Sequence, residues 1–303
     1  MDRRARWSAA TPRISLLDYD EASVKIWGPT ATEPTTTEQE NGARLSRPWS
    51  QASEFGRLSR QRAGVWLCTV TETAPQLQPL YLLADSQLLF WRRQDRLLLD
   101  AALDGLARDT PLSAAYIGAS NGDRPEFYGI FEAAVDAIRI TDRRMIDSSF
   151  GPDDRSFLER AQLIVLAGGD VRLGWNTFEK TGMKDVILGR YAEGAVLVGI
   201  SAGAVQLGRY GIVETPESPA TELLDVFKLV PVVIDTHKER AEWARLSRTI
   251  QLLEGAATGL GIPSGGGVIV HADTTIEPLR RPAHEFRFEG TRVTHSLLAT
   301  AAI

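Results

Sequence analysis

One cysteine, Cys68, stands among 303 residues. The chain therefore forms no intramolecular disulfide and builds no zinc site of the paired-cysteine kind, and a reducing cytoplasm is the expected compartment. Positive charge is not in excess either. The 34 lysines and arginines face 39 aspartates and glutamates, a formal charge of -5, so no general field draws in phosphate backbones or anionic lipid, and neither nucleic acid nor a membrane surface is expected as a main partner. Long apolar runs are missing. The opening Met1-Asp2-Arg3-Arg4 never develops into the apolar stretch of a secretory signal, and nothing approaches the roughly 18 uninterrupted apolar residues of a membrane span. Histidine is scarce too: only His237, His271, His284 and His295 are available for general base chemistry.

What remains is ordinary globular material. Hydrophobic residues make up 43% and charged residues 24%, enough to fill one sizeable core. The length fits a core domain plus an appendage. Residues 28–42, GPTATEPTTTEQENG, carry no aliphatic side chain larger than alanine and cannot offset the entropy of ordering. Trp7, Trp27 and Trp49 flank or precede that stretch, and large aromatics tend to bury against something. The expected division is an N-terminal extension, 1–75, partly disordered around 28–42, and an α/β domain, 76–303.

From about residue 64 short apolar runs alternate with helical periodicity. The runs predict strands at 65–70, 79–84, 113–118, 162–167, 195–200, 229–235 and 267–271; helices are expected over 92–108, 125–139, 176–193, 202–209 and 239–254. Several strands are apolar at consecutive positions, as when both faces of a parallel sheet are covered. Strand then helix, repeated, implies a doubly wound, mainly parallel sheet flanked by helices.

The sharpest signal is Gly199-Ile200-Ser201-Ala202-Gly203, where a strand runs into small residues and then a helix. That is the setting of a G-x-S-x-G nucleophile elbow: a tight turn holds the serine hydroxyl clear, and the amide of Ala202 faces a developing oxyanion. One strand earlier, Ala167-Gly168-Gly169-Asp170 ends another strand, and the amide of Gly169 is a second oxyanion donor. Ligands gather at the carboxyl ends of such strands. His237 closes the apolar run Leu229–Asp235 and is the favoured base, with His271 second and His284 and His295 read as surface. An acid must hold the imidazole in register. Glu217, in the proline-flanked loop Thr215–Pro219, is the first candidate and Glu214 the second; Asp235 is a supporting neighbour.

Taken in order, Ala84-Asp85-Ser86, Ile117-Gly118-Ala119-Ser120, Gly168-Gly169-Asp170, Gly199–Ala204 and Ile234-Asp235-Thr236-His237 with Glu239, Arg240, Arg245 and Leu246 resemble the serine peptidase family that contains dipeptidase E and cyanophycinase. The resemblance spans roughly 79–280. It implies a flavodoxin-like α/β fold of the glutamine amidotransferase type, with Ser201 as nucleophile, His237 as base, Gly169 and Ala202 as oxyanion donors, and cleavage near aspartyl residues without metal or cofactor. Asp170, Arg172 and Arg240 are then the expected substrate-binding residues, and a peptide the expected partner; a homodimer is compatible with the sequence. Val171 and Lys238 depart from the family, where an amide residue and phenylalanine are common, so a specialised relative is expected. Two other readings stay open: an α/β-hydrolase esterase using Ser201, Asp273 and a late histidine, and an idle module that binds a carboxylate or peptide end.

Overall fold

The computed structural model describes residues 77–107, 111–215 and 218–300. The expected strand at 65–70, the N-terminal extension with its three tryptophans, Cys68 and Glu217 lie outside the described residues. The strands run β1 (Leu80–Leu83), β2 (Arg92–Arg93), β3 (Arg96–Leu97), β4 (Ser113–Ile117), β5 (Asp142–Ile146), β6 (Leu163–Leu166), β7 (Val196–Ile200), β8 (Tyr210–Thr215), β9 (Ser218–Asp225), β10 (Val232–Thr236), β11 (Thr258–Ile262), β12 (Gly267–Val270), β13 (Ile276–Leu279), β14 (Ala283–Glu289) and β15 (Arg292–Leu298). The α-helices are α1 (Leu98–Ala102), α2 (Pro125–Ala137), α3 (Pro152–Leu158), α4 (Val171–Thr181), α5 (Met183–Ala192), α6 (Ala202–Gln206) and α7 (Ala244–Leu252).

A seven-stranded sheet in the order β13-β12-β1-β7-β6-β4-β5 forms the centre. β1, β7, β6, β4 and β5 are mutually parallel, while β12 and β13 are added antiparallel. Both faces are apolar because alternate residues point to opposite sides. Leu80, Leu82, Ile164, Leu166 and Leu197 enter one buried cluster; Tyr81, Leu83, Leu163, Val165, Val196 and Val198 enter the other. Helices α3 to α6 cover the first face, and α1 and α2 the second. The chain goes from β4 outward to β5, then back past β4 to β6. This reversal opens a crevice between the carboxyl ends of β4 and β6.

Three departures from the sequence reading have local causes. The helix expected over 92–108 is a hairpin, β2–β3, followed by the short α1: Gln94 and Asp95 both take positive φ, as a two-residue hairpin turn requires. The helix expected over 176–193 is two, α4 and α5, because Gly182 sits at φ +74 and ends the first. Most consequentially, β10 does not join the central sheet. It pairs with β11 in a separate sheet of order β10-β11-β14-β15, since the chain leaves α6 after five residues for the β8–β9 hairpin instead of running a long helix back along the sheet. Among the described residues no helix is long and apolar enough to cross a membrane.

His284 and His295 are neighbours on β14 and β15, their ring nitrogens 2.9 Å apart. His284 is half-buried, with its ring 5.1 Å from that of Trp243. Burial and the charge of His295 push its pKa below the ordinary 6.5, and Glu239 opposes this only in part. The unfolded chain therefore takes up a proton near pH 6.5 that the folded chain refuses, and stability falls on acidification. Thermal melts between about pH 7.5 and 5.5 should show a steeper loss of Tm for the native protein than for His284→Gln.

Candidate active site

Ser201 follows β7 and precedes α6, with φ 49 and ψ -107. Such a backbone is strained for a side chain bearing a Cβ, and the surroundings hold it. The Ser201 amide donates to the carbonyl of Leu83 at 2.8 Å, and its carbonyl accepts from the amide of Val205 at 3.0 Å. The glycines on either side let backbones approach. A Cβ on Gly199 would lie 2.6 Å from the carbonyl oxygen of Gly203, and one on Gly203 would lie 2.4 Å from that of Leu166. α6 can therefore pack directly onto the ends of β6 and β7.

The Gly168-Gly169 turn lies against this elbow. A Cβ on Gly168 would come 3.2 Å from the Ser201 Cβ. Gly169 has φ +139, and a Cβ there would strike the Ser120 carbonyl. No backbone acceptor among the described residues takes the Gly169 amide; that of Ala202, at the first position of α6, has no partner within its helix. Gln206 ties the loops together from below. It is fully buried, and its Nε2 donates to the Val171 carbonyl at 2.9 Å and to Ser120 Oγ at 3.1 Å.

His237 reaches the elbow from the other sheet. It ends β10 at φ 43, its amide donates to the Ile262 carbonyl at 2.9 Å, and its Nε2 stands 2.7 Å from Ser201 Oγ. If the serine hydroxyl donates there, the ring keeps its own proton on Nδ1. Asp235 does not face the ring. Its carboxylate is fully buried, accepts from Arg245 Nε at 2.9 Å and from the Thr236 amide at 2.9 Å, and so fastens the end of β10 to α7.

The remaining expected residues are spread around this centre. Asp170 caps α4, accepting from the Leu173 amide at 2.8 Å. Arg172 pairs with Glu222, and Arg240 is exposed in the turn after His237. Neither arginine lines the cavity that opens beside Ser201; Arg124 does. His271 binds Glu277 at 3.1 Å, and Asp273 accepts from the Thr275 amide, so neither belongs to the Ser201 cluster. Glu214 lies in β8, on the hairpin that leads toward β10.

Glu239 carries part of the sequence resemblance but is not among the sequence candidates for the acid, although its place two residues after His237 is the available signal. One of its oxygens accepts from the Ser264 amide at 3.3 Å, and the other is buried without a hydrogen-bond partner among the described residues. Burial works to raise its pKa, but the Ser264 hydrogen bonds and the charge of His237 outweigh it and hold the carboxyl below the ordinary glutamate value. Among the described residues, no group of three or more histidine, cysteine, aspartate or glutamate side chains is arranged to hold a metal ion.

The elbow can be tested through its glycines. Gly203→Ala should destabilise the fold by about 1–3 kcal/mol in urea melts, because its Cβ meets backbone that cannot yield. Gly189→Ala, in α5 with open space around it, should stabilise by roughly 0.5–1 kcal/mol.

Comparisons with known proteins agree with this geometry. The model of peptidase family S51 matches residues 131–277, a span that holds the Gly168-Gly169 turn, Ser201, His237 and Glu239. A peptidase from an acI-B1 Actinobacterium is similar in structure, with a TM-score of 0.53 and 14% identity over 74% of this chain and 96% of its own. So is a protein assigned to peptidase E from Listeria monocytogenes EGD-e, with a TM-score of 0.51 and 16% identity over 68% and 99%. At those identities the two structures speak for the fold. No curated protein is a significant match in sequence. The family model thus spans both glycine turns, the serine and the histidine, and over residues 131–277 this chain is similar to peptidase family S51, with a fold shared with the two peptidase structures.

Proposed function

We propose that the protein is a serine peptidase in which Ser201 is the nucleophile and His237 the general base. The observation that carries this reading is the 2.7 Å contact between Ser201 Oγ and His237 Nε2 at a cavity, with two glycine-bordered turns around it. As Oγ attacks the peptide carbonyl carbon, its proton passes to Nε2 and the carbonyl electrons move to oxygen, where the amides of Gly169 and Ala202 receive the charge. Collapse of that adduct breaks the C–N bond, Nε2 returns the proton to the leaving amine, and water repeats the sequence to free the serine.

A carboxylate must favour the imidazolium. Among the described residues Glu239 is our choice, because it stands two residues after the base, has one buried oxygen without a hydrogen-bond partner, and is held below its ordinary pKa in part by the charge of His237. Glu214, in β8, and Glu217, outside the described residues, are the competitors. Ser201→Ala should melt like the native protein and lose fluorophosphonate labelling, and His237→Ala should lose several orders of magnitude in turnover while His271→Ala does not. Glu239→Gln should cost up to about 10⁴-fold in turnover, with Glu217→Gln and Glu214→Gln near neutral. Full turnover in Ser201→Ala overturns the mechanism; the reverse order of the glutamates moves the acid to the hairpin.

An acidic residue near the scissile bond remains the proposed substrate feature, with Arg124 in place of Arg172 and Arg240 as its partner. Its guanidinium lines the cavity, pairs with Glu126 and lies 5.2 Å over the Phe127 ring. Because Arg124 is largely solvent-exposed, with 59% of its side chain accessible, an Asp-containing peptide should outrun its Asn counterpart by roughly tenfold. That contrast should vanish in Arg124→Ala and survive in Arg172→Ala and Arg240→Ala, measured as kcat/KM.

A further inference from the structure

The cavity beside Ser201 has a volume of about 450 Å³, within the range of small-molecule sites, and its two regions differ in character. Ser201, His237, Asp85, Asn121 and Arg124 supply polar groups; Leu89, Tyr116, Phe127, Ile130, Phe131 and Ile200 supply a wall of carbon. Leu89, Tyr116, Phe131 and Ile200 are buried members of the cluster beneath α1 and α2, so the wall is a piece of the hydrophobic core left open on one side.

Two of the polar side chains in the lining, Asp85 and Asn121, are already engaged. Asp85 accepts from the amides of Gln87 and Gly265, at 3.2 and 2.6 Å. Asn121 donates to the Tyr116 hydroxyl at 3.0 Å and accepts from the Arg124 amide at 3.2 Å. A charged or amide side chain pushed against the carbon face formed by Leu89, Phe131 and Ile200 would give up water and meet only carbon there, which is costly. A large apolar side chain would give up little and gain the wall's contacts.

We propose that this cavity is a subsite for a large apolar side chain, aromatic or branched aliphatic, on a residue flanking the scissile bond. The inference rests on the serine peptidase reading for the position of that bond. It adds to the carboxylate at Arg124 a second and chemically opposite requirement, so the favoured substrate carries an apolar residue and an acidic one close together. Tyr116, Tyr128 and Phe131 pack as tilted rings with centroids 5.4–5.8 Å apart, which backs the wall with rigid rings in place of adaptable side chains.

The test is a set of short peptides in which the residue on each side of the scissile bond is, in turn, Phe, Leu, Ala or Asp. Binding of the same peptides to Ser201→Ala is measured by calorimetry, where no cleavage intervenes. At one of the two positions Phe and Leu should exceed Ala in kcat/KM by about 10- to 100-fold, and exceed Asp by at least as much. Binding to Ser201→Ala should keep that order. Ile130→Asp should reduce the Phe-to-Ala ratio at least about fivefold; Phe127→Ala, at a largely exposed ring, should reduce it in the same direction with little risk to folding. A ratio near one at both positions, Asp ahead of Phe and Leu at both, or a ratio unmoved by both variants would overturn the subsite. Loss of Ser201 labelling with the apolar order intact in binding would overturn the serine mechanism alone, whereas a labelled serine with a flat order would overturn the subsite alone.

Discussion

The hydrogen bond between Ser201 and His237 joins two different sheets, and the chemistry depends on how firmly those sheets are held together. The serine belongs to a strand buried on both faces, whereas the histidine hangs from the end of β10 in the four-stranded sheet. Val232, Ile234, Leu260 and Ile262 carry the main apolar cluster across from one sheet to the other, so the separation of Ser201 and His237 is fixed by core packing. At the histidine end the fixing is ionic. Asp235 has no exposed surface and shares its carboxylate between Arg245 and the Thr236 amide. Removing one member of such a pair strands a buried charge, at a cost of about 3–5 kcal/mol. Of the two carboxylates that stand two residues from His237, Asp235 thus holds up the scaffold.

Close backbone approach does the corresponding work at the serine end. The positive φ of Ser201 would relax in an open turn. It persists because Gly199 and Gly203 admit the carbonyls of their neighbours and because Gln206, buried under the turn, holds Ser120 and Val171 in place. Strain at one residue is tolerated where its neighbours leave no alternative.

Much of this was legible in the sequence, and the reason is local. β1, β4, β6, β7 and β12 are short runs of consecutive apolar residues, a pattern that few structures other than a covered strand produce. Both glycine turns announce themselves because a backbone that must turn sharply at a strand end has few residues to choose from. β5 was missed since Asp142-Arg143-Arg144 gives no apolar signal: it is an edge strand whose arginines pair with Glu132, Asp136 and Asp154. The assignment of β10 to the central sheet failed for a different reason. An apolar run states that a strand is buried, but not in which sheet. The same limit applies to substrate recognition. Arg172 and Arg240 are expected from their nearness in sequence to the Gly168-Gly169-Asp170 turn and to His237, whereas Arg124 lines the cavity from the N-terminus of α2, where sequence distance carries no information.

The two edges of the central sheet complete the picture of how a peptide can approach. One edge is β5, with its ion-paired arginines and with Asp142 held by Arg160; the other is β13, which carries Pro278 in its middle. Charge and proline are both devices that discourage a further strand from adding to a sheet. Neither edge of the central sheet therefore favours a further extended chain that would add a ladder of backbone hydrogen bonds. On the proposed function, a peptide would then reach the crevice above the strand ends end-on or side chain first, and not as an added strand of this sheet.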